Sequence, residues 1–505
     1  MEQFAKWFVE FFKALVKNIG DAFVTFFSIF KKIFYDYPKE YINYFFEYKA
    51  GFKLLDWMFF VLAILVVVIL FLTILFLIYL LIRKYFRFSK KERDKEDLLH
   101  EIALLNNKVV DLIDEKNKNL ILSGEENIIT KQYGNSKLTK KSDKGRFVKL
   151  TLVDEKYHYT PLKITMDKED EINLEQLVDK FINFSASQLN LYYTPQTVRY
   201  FISAMATSKT MILEGISGTG KTSLPYAFGK FVSNDANIIP VQPSWRDRAE
   251  MMGYLNEFTK KFNETDFLKA VYEATYRTDI NIIVLDEMNL ARVEYYFADF
   301  LSLLEMPNPN EWLVELVPDQ IPGDPNNLIE GKILVPQNVW FIGTANKDDS
   351  TFTITDKVYD RAISIEINNK AESIKAPKTN NIKITYQYLE DLYKAALEKY
   401  KISENNITSL KKLDQYIIET FKIAFGNRIM KQLNTFVPVY MACGGNEIEG
   451  LDFMIARKVI RKFESLNLPF LQKELEELLV VLDKLFGNNK MIECKKMIEG
   501  YLKEI

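Results

Sequence analysis

Apolar residues run without a charged side chain from Trp57 to Ile82, and Thr73 is the one polar member of this run of 26 residues. At 1.5 Å of rise per residue, such a helix exceeds the hydrocarbon core of a bilayer, which is about 30 Å thick. A buried core helix is the lesser alternative, because a soluble helix does not need apolar side chains on every face. The pattern therefore predicts one transmembrane helix at residues 57–82.

Basic residues near this run predict its orientation. Seven lysines and arginines lie in the twenty positions after it, against three lysines in the twenty positions before it. Flanks rich in Lys and Arg stay on the cytoplasmic side of a membrane. We therefore expect a single-pass protein of the inner (cytoplasmic) membrane whose large C-terminal part lies in the cytoplasm.

Residues 1–56 show aromatic and polar positions at helical spacing. Polar residues recur every three or four positions from Glu2 to Lys32, with phenylalanines between them, and the aromatic pattern continues from Tyr37 to Phe52. Such spacing is typical of amphipathic helices that lie in the bilayer interface. Packing on a partner protein or on other copies of the chain remains the alternative.

The segment between the apolar run and the rest of the chain divides in two. Residues 83–122 combine the basic stretch with a short heptad seam, Leu98 to Leu112, which predicts a short coiled coil. Residues 123–170 contain a linker rich in Lys, Ser, Thr and Gly at 131–144. Phe147 to Tyr159 then alternates between apolar and polar residues, which predicts a small strand pair.

Further along, the apolar pattern changes from strands to helices. Short apolar runs at Met211–Leu213, Ile282–Leu285 and Val339–Thr344 are typical of buried strands in a parallel sheet. From Leu389 onward, apolar residues recur every three or four positions, as in helices. We expect an α/β core at 171–368 and an α-helical lid with a C-terminal extension at 369–505.

The composition of the chain excludes several kinds of ligand and catalytic site. The net charge of −2 argues against a general electrostatic affinity for nucleic acid. The two cysteines cannot form a disulfide framework or a cysteine zinc site, and a reducing compartment is the simplest interpretation. The two histidines lie far apart and away from every motif, so neither hydrolysis nor metal catalysis that depends on histidine is expected.

The first candidate site follows the strand at 211–213. Gly215, Gly220, Lys221 and Thr222 fit GxxxxGK[ST], the phosphate-binding loop. Glycines let backbone amides surround a β-phosphate, Lys221 neutralises the β and γ oxygens, and Thr222 offers a hydroxyl to Mg²⁺. The predicted nucleotide-binding residues are Gly215, Ile216, Ser217, Gly218, Thr219, Gly220, Lys221, Thr222 and Ser223.

Polar residues also end the other two predicted strands. Asp286 and Glu287 end the strand at 282–285. A carboxylate at this position can hold the water shell of Mg²⁺, and the next one can polarise the attacking water. We therefore predict Thr222 and Asp286 as metal ligands and Glu287 as a catalytic residue. The third strand ends at Asn346.

A strand, a phosphate loop, an acidic strand and a polar sensor strand follow in the order of an AAA+ module. The stretches DEMNLARVEYYFADFLSLLE and GTANKDD resemble in particular the McrB branch of that superfamily, the motor of modification-dependent restriction systems. The resemblance covers about residues 172–500. It implies an AAA+ P-loop NTPase fold, in which a parallel sheet flanked by helices is followed by an α-helical lid.

The resemblance also implies roles for further residues. Asn346 matches sensor 1, which orients the hydrolytic water with Glu287. Arg361 follows a short predicted helix, where AAA+ proteins place the arginine finger that reaches a neighbouring subunit's γ-phosphate. Arg428 resembles the sensor 2 arginine of the lid. For both arginines an ordinary surface position is the alternative, and Arg292 is a spare candidate for the contact with the neighbour.

One departure from the family pattern concerns the nucleotide. The McrB signature reads MNxxDR, whereas this chain reads ANKDDS at 345–350 and lacks the final arginine. The GTP preference and partner-stimulated hydrolysis of the family are therefore not carried over. ATP is the expected nucleotide with Mg²⁺, and GTP remains open. The letters NKDD also fit NKxD, a guanine-reading motif, which we interpret as coincidence because they follow a sensor strand.

Two other patterns have a simpler interpretation. Pro318, Asp319, Glu330 and Lys332 fit a metal-dependent nuclease pattern, but they fall between the acidic and sensor strands, where we expect a hairpin insert. The stretch QPSWRDRAEMMGY at 242–254 offers an aromatic residue among basic ones. It could face a central pore or a nucleic-acid strand, or pack against a neighbour in a ring.

The sequence thus predicts a membrane-anchored AAA+ NTPase that forms a ring, expected to be a hexamer, and couples hydrolysis to remodelling or translocation. By family analogy the setting is restriction-like or antiviral defence, with a separate effector such as a McrC-like nuclease, while contact with nucleic acid stays open. A slow nucleotide switch that assembles a membrane complex, and a MoxR-like chaperone, are the alternatives.

Overall fold

The structure is a computed structural model. It describes residues 31–51, 145–346, 351–368 and 372–504, together with single residues between 53 and 76. The chain divides into two compact units, residues 1–138 and 139–505, which are described separately below.

The described part of the first unit is helical. A π-helical turn at Lys32–Asp36 leads into helix α1 (Tyr37–Tyr48), and a 3₁₀ turn follows at Lys49–Gly51. The helical interpretation of 37–52 is therefore confirmed over α1. Residues 1–30, the predicted coiled coil and linker at 83–144, and residues 347–350, which hold the last three NKDD letters, lie outside the described residues.

The predicted membrane localisation is wrong. Within the part of the chain that the structure describes, no helix is both long enough and apolar enough to cross a bilayer. Of the run at 57–82, the described residues are Trp57, Met58, Leu65, Thr73 and Phe76, and the others lie outside the description. A span requires an uninterrupted apolar helix of about 20 residues, and the described residues contain none.

A five-stranded parallel sheet lies at the centre of the second unit. Its order is β10-β1-β9-β5-β2, and all four neighbouring pairs are parallel. The three strands predicted from the apolar runs are confirmed as β1, β5 and β9. The strands of this sheet are β1 (Thr210–Gly215), β2 (Asn237–Pro240), β5 (Asn281–Asp286), β9 (Val339–Asn346) and β10 (Ile363–Glu366).

Two small antiparallel sheets complete the strand set of this unit. One is the hairpin of β3 and β4, and the other has the order β6-β8-β7 and lies between β5 and β9 in sequence. The hairpin insert expected at Pro318–Lys332 is therefore confirmed. The β3–β4 hairpin consists of β3 (Gly253–Asn256) and β4 (Lys261–Glu264). The insert consists of β6 (Leu313–Glu315), β7 (Leu328–Ile329) and β8 (Lys332–Leu334).

Helices cover both faces of the central sheet. Those that precede or alternate with its strands are α2 (Lys149–Lys156), α3 (Leu174–Leu189), α4 (Pro195–Thr207), α5 (Ser223–Phe231), α6 (Arg248–Met252), α7 (Asp266–Ala274), α8 (Val293–Tyr296), α9 (Ala298–Leu303) and α10 (Asp356–Tyr359). Those of the predicted lid and extension are α11 (Tyr386–Lys399), α12 (Glu404–Phe421), α13 (Gly426–Ala442), α14 (Glu447–Lys458), α15 (Gln472–Phe486) and α16 (Ile492–Glu504).

Successive strand residues point into two separate cores. Met211 and Leu213 pack in one core together with the lid helices, whereas Ile212 packs in the other with α7 and the hairpin insert. This alternation follows from the two-residue period of a strand, and it explains why all six residues of β1 are buried. The sheet is therefore held rigidly on both faces, and its carboxyl edge is a fixed platform for the loops that leave it.

The strand pair predicted at 147–159 is wrong, because residues 149–156 form α2. The carboxylate of Glu264 on β4 accepts hydrogen bonds from the backbone N–H groups of Val148, Lys149 and Leu150 at 2.7–2.8 Å. A carboxylate on the free N–H groups of a first turn stabilises a helix. That contact comes from more than a hundred residues away, so local alternation could not reveal it.

Trp245 is the aromatic residue of the stretch at 242–254, and it faces neither a pore nor a neighbouring subunit. Its side chain is 7% exposed and lies against Tyr296 of the same chain, with ring centroids 5.2 Å apart. The aromatic residue among basic ones is thus part of the core. Neither a pore nor a neighbouring subunit is needed to explain it.

Candidate functional site

The loop after β1 has the conformation that its glycines predict. Gly215 has φ +142°, and a Cβ there would collide with the carbonyl oxygen of Ile367. Gly218 and Gly220 also have positive φ, at +79° and +91°. Since side chains disfavour such angles, the glycines allow the loop to turn closely from β1 into α5. The N-terminus of α5, which carries a partial positive charge, therefore follows the loop directly.

Lys221 lies inside the loop with its ammonium group turned toward the backbone. The residue is 6% exposed, and Nζ donates to the carbonyl oxygens of Gly215 at 3.0 Å and Ile216 at 2.7 Å. A compact cation that reaches the loop's own carbonyl groups is available for the oxygens of a bound phosphate. Residues 216–218 are exposed, so the loop is open to solvent on that side.

Thr222 and Asp286 meet at the carboxyl edge of the sheet. Thr222 Oγ1 donates to Asp286 Oδ1 at 2.8 Å. A hydroxyl and a carboxylate are hard oxygen ligands, which Mg²⁺ accepts together with phosphate oxygens and water. The residues present therefore fit the predicted metal ion.

Thr344 joins the two acids of the site, and sequence reasoning missed it. Its hydroxyl donates to Asp286 Oδ1 at 2.7 Å and accepts from the backbone N–H of Glu287 at 2.9 Å. Thr344 is 2% exposed and lies on β9, two residues before Asn346. Thr222, Asp286, Thr344 and Glu287 thus form one hydrogen-bonded path that connects the start of α5 with the ends of β5 and β9.

Glu287 leaves the sheet in an uncommon conformation. Its φ of 53° and ψ of 48° lie in the left-handed region, which costs a non-glycine residue roughly 1–3 kcal/mol. The turn separates the two carboxylates, because Asp286 is half-buried and Glu287 is exposed. The side chain of Glu287 is therefore accessible to solvent, whereas that of Asp286 is partly enclosed.

Asn346 lies beside the phosphate loop, as predicted. In the parallel pairing of β1 and β9, Asn346 is the register partner of Gly215. Its carbonyl accepts from Nδ2 of the buried Asn289 at 2.8 Å, and Asn289 Nδ2 also donates to Thr351 at 3.0 Å. The short segment after Glu287 therefore holds the end of β9 in place.

Arg361 and Arg428 lie away from the phosphate loop and from Asp286 and Glu287. Arg361 Nε and Arg428 Nη2 both donate to Oε2 of Glu305, at 3.0 and 2.9 Å. Arg361 lies two residues before the start of β10, and its carbonyl accepts from the hydroxyl of Ser208, which lies two residues before the start of β1. Both strands begin at this edge, whereas the phosphate loop follows the other end of β1. The two ends of β1, Thr210 and Gly215, are five residues apart, and at about 3.3 Å per residue this is roughly 17 Å.

The two arginines line a cavity of about 550 Å³. Its charged walls include Lys209, Glu390 and Lys431 besides Glu305 and the arginines. Lys209 Nζ lies 3.6 Å from the ring centroid of Trp340, and burial lowers its pKa to about 7. Arg292, the spare candidate, is exposed and lies over the rings of Tyr295 and Phe352 at 5.8 and 5.3 Å.

A second cavity adjoins the phosphate loop. It measures about 360 Å³ and lies between the 190–197 connection and residues Gly218 to Ser223. Tyr193 and Ile367 provide apolar walls, and burial raises the pKa of Tyr193 to about 12, so its hydroxyl stays protonated and can donate. The cavity has the size and mixed polarity of a small-molecule site.

Comparisons with known proteins agree with this geometry at a coarse level. No protein-family model matches the chain. The chain is 26% identical over 190 residues to the type IV methyl-directed restriction enzyme EcoKMcrB subunit of Escherichia coli (strain K12), a match that spans 35% of this chain and 39% of the relative. This likeness supports an AAA+ ATPase of the P-loop class.

A solved structure is also similar. It is described as a candidate ATPase from Cytophaga hutchinsonii, and it covers 61% of this chain and 88% of its own, with 14% identity and a TM-score of 0.37. At this score the likeness adds nothing to the argument. The fold assignment therefore depends on the strand order and on the loop after β1.

Proposed function

We propose that this chain is an AAA+ NTPase that hydrolyses ATP, or GTP, with Mg²⁺. The observation that supports this best is the path from Thr222 through Asp286 and Thr344 to Glu287. It brings a hydroxyl from the phosphate loop, a metal-binding carboxylate and a second acid to one edge of the sheet. Binding alone needs the first two, whereas hydrolysis needs the third.

Each part of the site has a role in this proposal. Residues 215–223 surround the β-phosphate, and Lys221 binds the β and γ oxygens. Thr222 and Asp286 hold Mg²⁺, which when bound neutralises charge on the phosphates. Glu287 polarises the attacking water and Asn346 orients it. The nucleotide base occupies the cavity lined by Tyr193 and Ile367.

We also propose that the enzyme is complete only in a ring of identical subunits. Arg361 and Arg428 lie at the edge of the sheet opposite the phosphate loop, too far to reach a phosphate bound in the same chain. A head-to-tail contact would present them to the phosphate of a neighbour, and contacts of this kind close into rings. The resemblance to AAA+ proteins favours a hexamer.

The biological setting in this proposal is defence. The similar protein from Escherichia coli is described as a subunit of a methyl-directed restriction enzyme. By analogy, hydrolysis here drives remodelling or translocation for an effector on another polypeptide, such as a McrC-like nuclease. Co-purification of this chain with the products of neighbouring genes tests the partner.

Steady-state hydrolysis tests the catalytic proposal. We expect the wild type to release phosphate from ATP or GTP, and Glu287→Gln to abolish release while still binding nucleotide. Glu257→Gln, an exposed acid on the β3–β4 turn, serves as the matched control. Equal and negligible release by wild type and Glu287→Gln would contradict the proposal and favour the slow nucleotide switch.

A further inference from the structure

Lys458 is a fully enclosed lysine at the end of α14, in the lid. Its side chain is 2% exposed. Nζ donates to the backbone carbonyl oxygens of Tyr359 at 2.7 Å, Asp360 at 3.3 Å and Ala362 at 2.6 Å. These three residues flank Arg361 on both sides. The ammonium group has three donors, and each has an acceptor in the segment that carries the arginine.

Two of the three carbonyl acceptors, those of Tyr359 and Asp360, lie at the C-terminal end of the short helix α10. It has four residues and ends at Tyr359. The last carbonyl groups of a helix have no donors within the helix, and a cation near them is favourable. Lys458 therefore caps α10 from the lid. Without it, the carbonyl oxygens of Tyr359 and Ala362 would lose this donor, and that of Asp360 would keep only the longer contact with Gln432.

Other lid residues hold the same segment. Arg461 forms an ion pair with Asp356 at 2.6 Å, and its guanidinium lies 3.3 Å from the ring centroid of Tyr359. Lys462 forms an ion pair with Asp360 at 2.7 Å. The segment at 356–362 thus contacts the lid through both backbone and side chains. Lys458 makes three of the backbone contacts, and Gln432 Nε2 makes a longer one to the carbonyl oxygen of Asp360 at 3.5 Å.

We propose that Lys458 is a positioning residue that fixes the backbone of Arg361 to the lid, so that movement of the lid moves the arginine that completes the neighbour's site. The proposal rests on the proposed function of Arg361. Lys458 acts through Arg361 and has no contact with nucleotide in its own subunit. Its loss should therefore affect hydrolysis in the neighbouring subunit, and binding in its own subunit should remain.

The first test of the positioning role of Lys458 is the steady-state kinetics of Lys458→Met. Methionine keeps the length of the side chain and removes the three donors. We expect kcat to fall on the order of a hundredfold, because a small displacement of a catalytic group costs about that much. KM for the nucleotide should stay unchanged. Lys462→Met is the matched control, since it removes a partly exposed ion pair to the same segment but no backbone contact.

Subunit mixing separates positioning from a purely structural role. Glu287→Gln subunits have an inactive site and an intact arginine, whereas Lys458→Met subunits should have an intact site and a displaced arginine. We expect the mixture to recover hydrolysis that neither variant shows alone. No recovery would overturn the proposal, because it would place the defect in the variant's own site.

Two further results are decisive. If Lys458→Met does not fold, Lys458→Gln, which retains an amide group with two N–H donors, replaces it, and insolubility of both would contradict the proposal by assigning Lys458 to folding. Arg361→Ala is measured beside them. Full hydrolysis by Arg361→Ala would contradict the proposed function itself, whereas loss in Arg361→Ala with full hydrolysis in Lys458→Met would contradict this inference alone.

Discussion

Arg361 and Arg428 share one acceptor, the Oε2 atom of Glu305, although one arginine precedes a core strand and the other lies in the first turn of a lid helix. The shared carboxylate holds the two guanidinium groups together. It also has to be released before both arginines can bind a neighbour's phosphate. Core and lid therefore meet at the surface that we assign to the subunit contact.

Glu305→Gln should favour assembly, because it removes a charge that competes with the neighbour's phosphate. Exposed ion pairs contribute roughly 0.2–1 kcal/mol each, so the loss of both pairs should shift nucleotide-dependent assembly to about two- to thirtyfold lower protein concentration. Sedimentation of the non-hydrolysing Glu287→Gln background measures this. Glu311→Gln is the control on an exposed acid. Weaker assembly by Glu305→Gln would assign Glu305 a supporting role in the contact.

Arg361→Ala should lower kcat by about a thousandfold, the scale on which an arginine in trans stabilises the transition state of phosphoryl transfer. Nucleotide binding should remain, because Arg361 lies at the edge opposite the phosphate loop. Arg292→Ala is the matched comparison, since Arg292 is also exposed but contacts the rings of Tyr295 and Phe352. A loss in Arg292→Ala with normal hydrolysis in Arg361→Ala would reverse the assignment.

Thr344→Val should lower kcat by about tenfold or more, because one hydroxyl connects the carboxylate of Asp286 to the backbone of Glu287, and leaving a buried group unsatisfied costs roughly 1–3 kcal/mol. The Mg²⁺ concentration for half-maximal rate should rise as Asp286 loses a donor that orients it. Ser364→Ala, a buried hydroxyl on β10, controls for the loss of any hydroxyl in the sheet. Unchanged kinetics would remove Thr344 from the site.

Lys209 predicts a pH dependence of stability. Burial lowers the pKa of its amine from 10.5 to about 7, against the opposing effect of Glu390. Between those values the unfolded chain binds a proton that the folded chain does not, so the free energy of unfolding should rise as pH increases from 7 to about 10. Lys209→Met should flatten this rise, whereas Lys163→Met at an exposed lysine should not. Equal slopes in all three proteins would contradict the prediction.

The phosphate loop and the three central strands were predictable because each depends on local sequence. GxxxxGK[ST] specifies a backbone path, and short apolar runs such as 282–285 and 339–344 specify buried strands. Asp286, Glu287 and Asn346 were found because they end such strands, where the parallel order brings their side chains to one edge.

Contacts between distant segments were not predictable from those patterns. Thr344 resembles any small strand residue until its hydroxyl is seen between Asp286 and Glu287. Lys458 resembles a helix-end lysine, and its partners lie almost a hundred residues earlier. The strand pair expected near 149–156 was wrong for the same reason, since the cap that stabilises the helix comes from Glu264.

The most direct test of a site shared between subunits is hydrolysis by a mixture of Lys221→Ala and Arg361→Ala proteins. Each alone should be inactive, since one lacks the phosphate-binding lysine and the other the arginine for its neighbour. In a random equal mixture of head-to-tail rings, about a quarter of the contacts pair an intact site with an intact arginine, so activity should return. A mixture that stays as inactive as its two components would contradict the account.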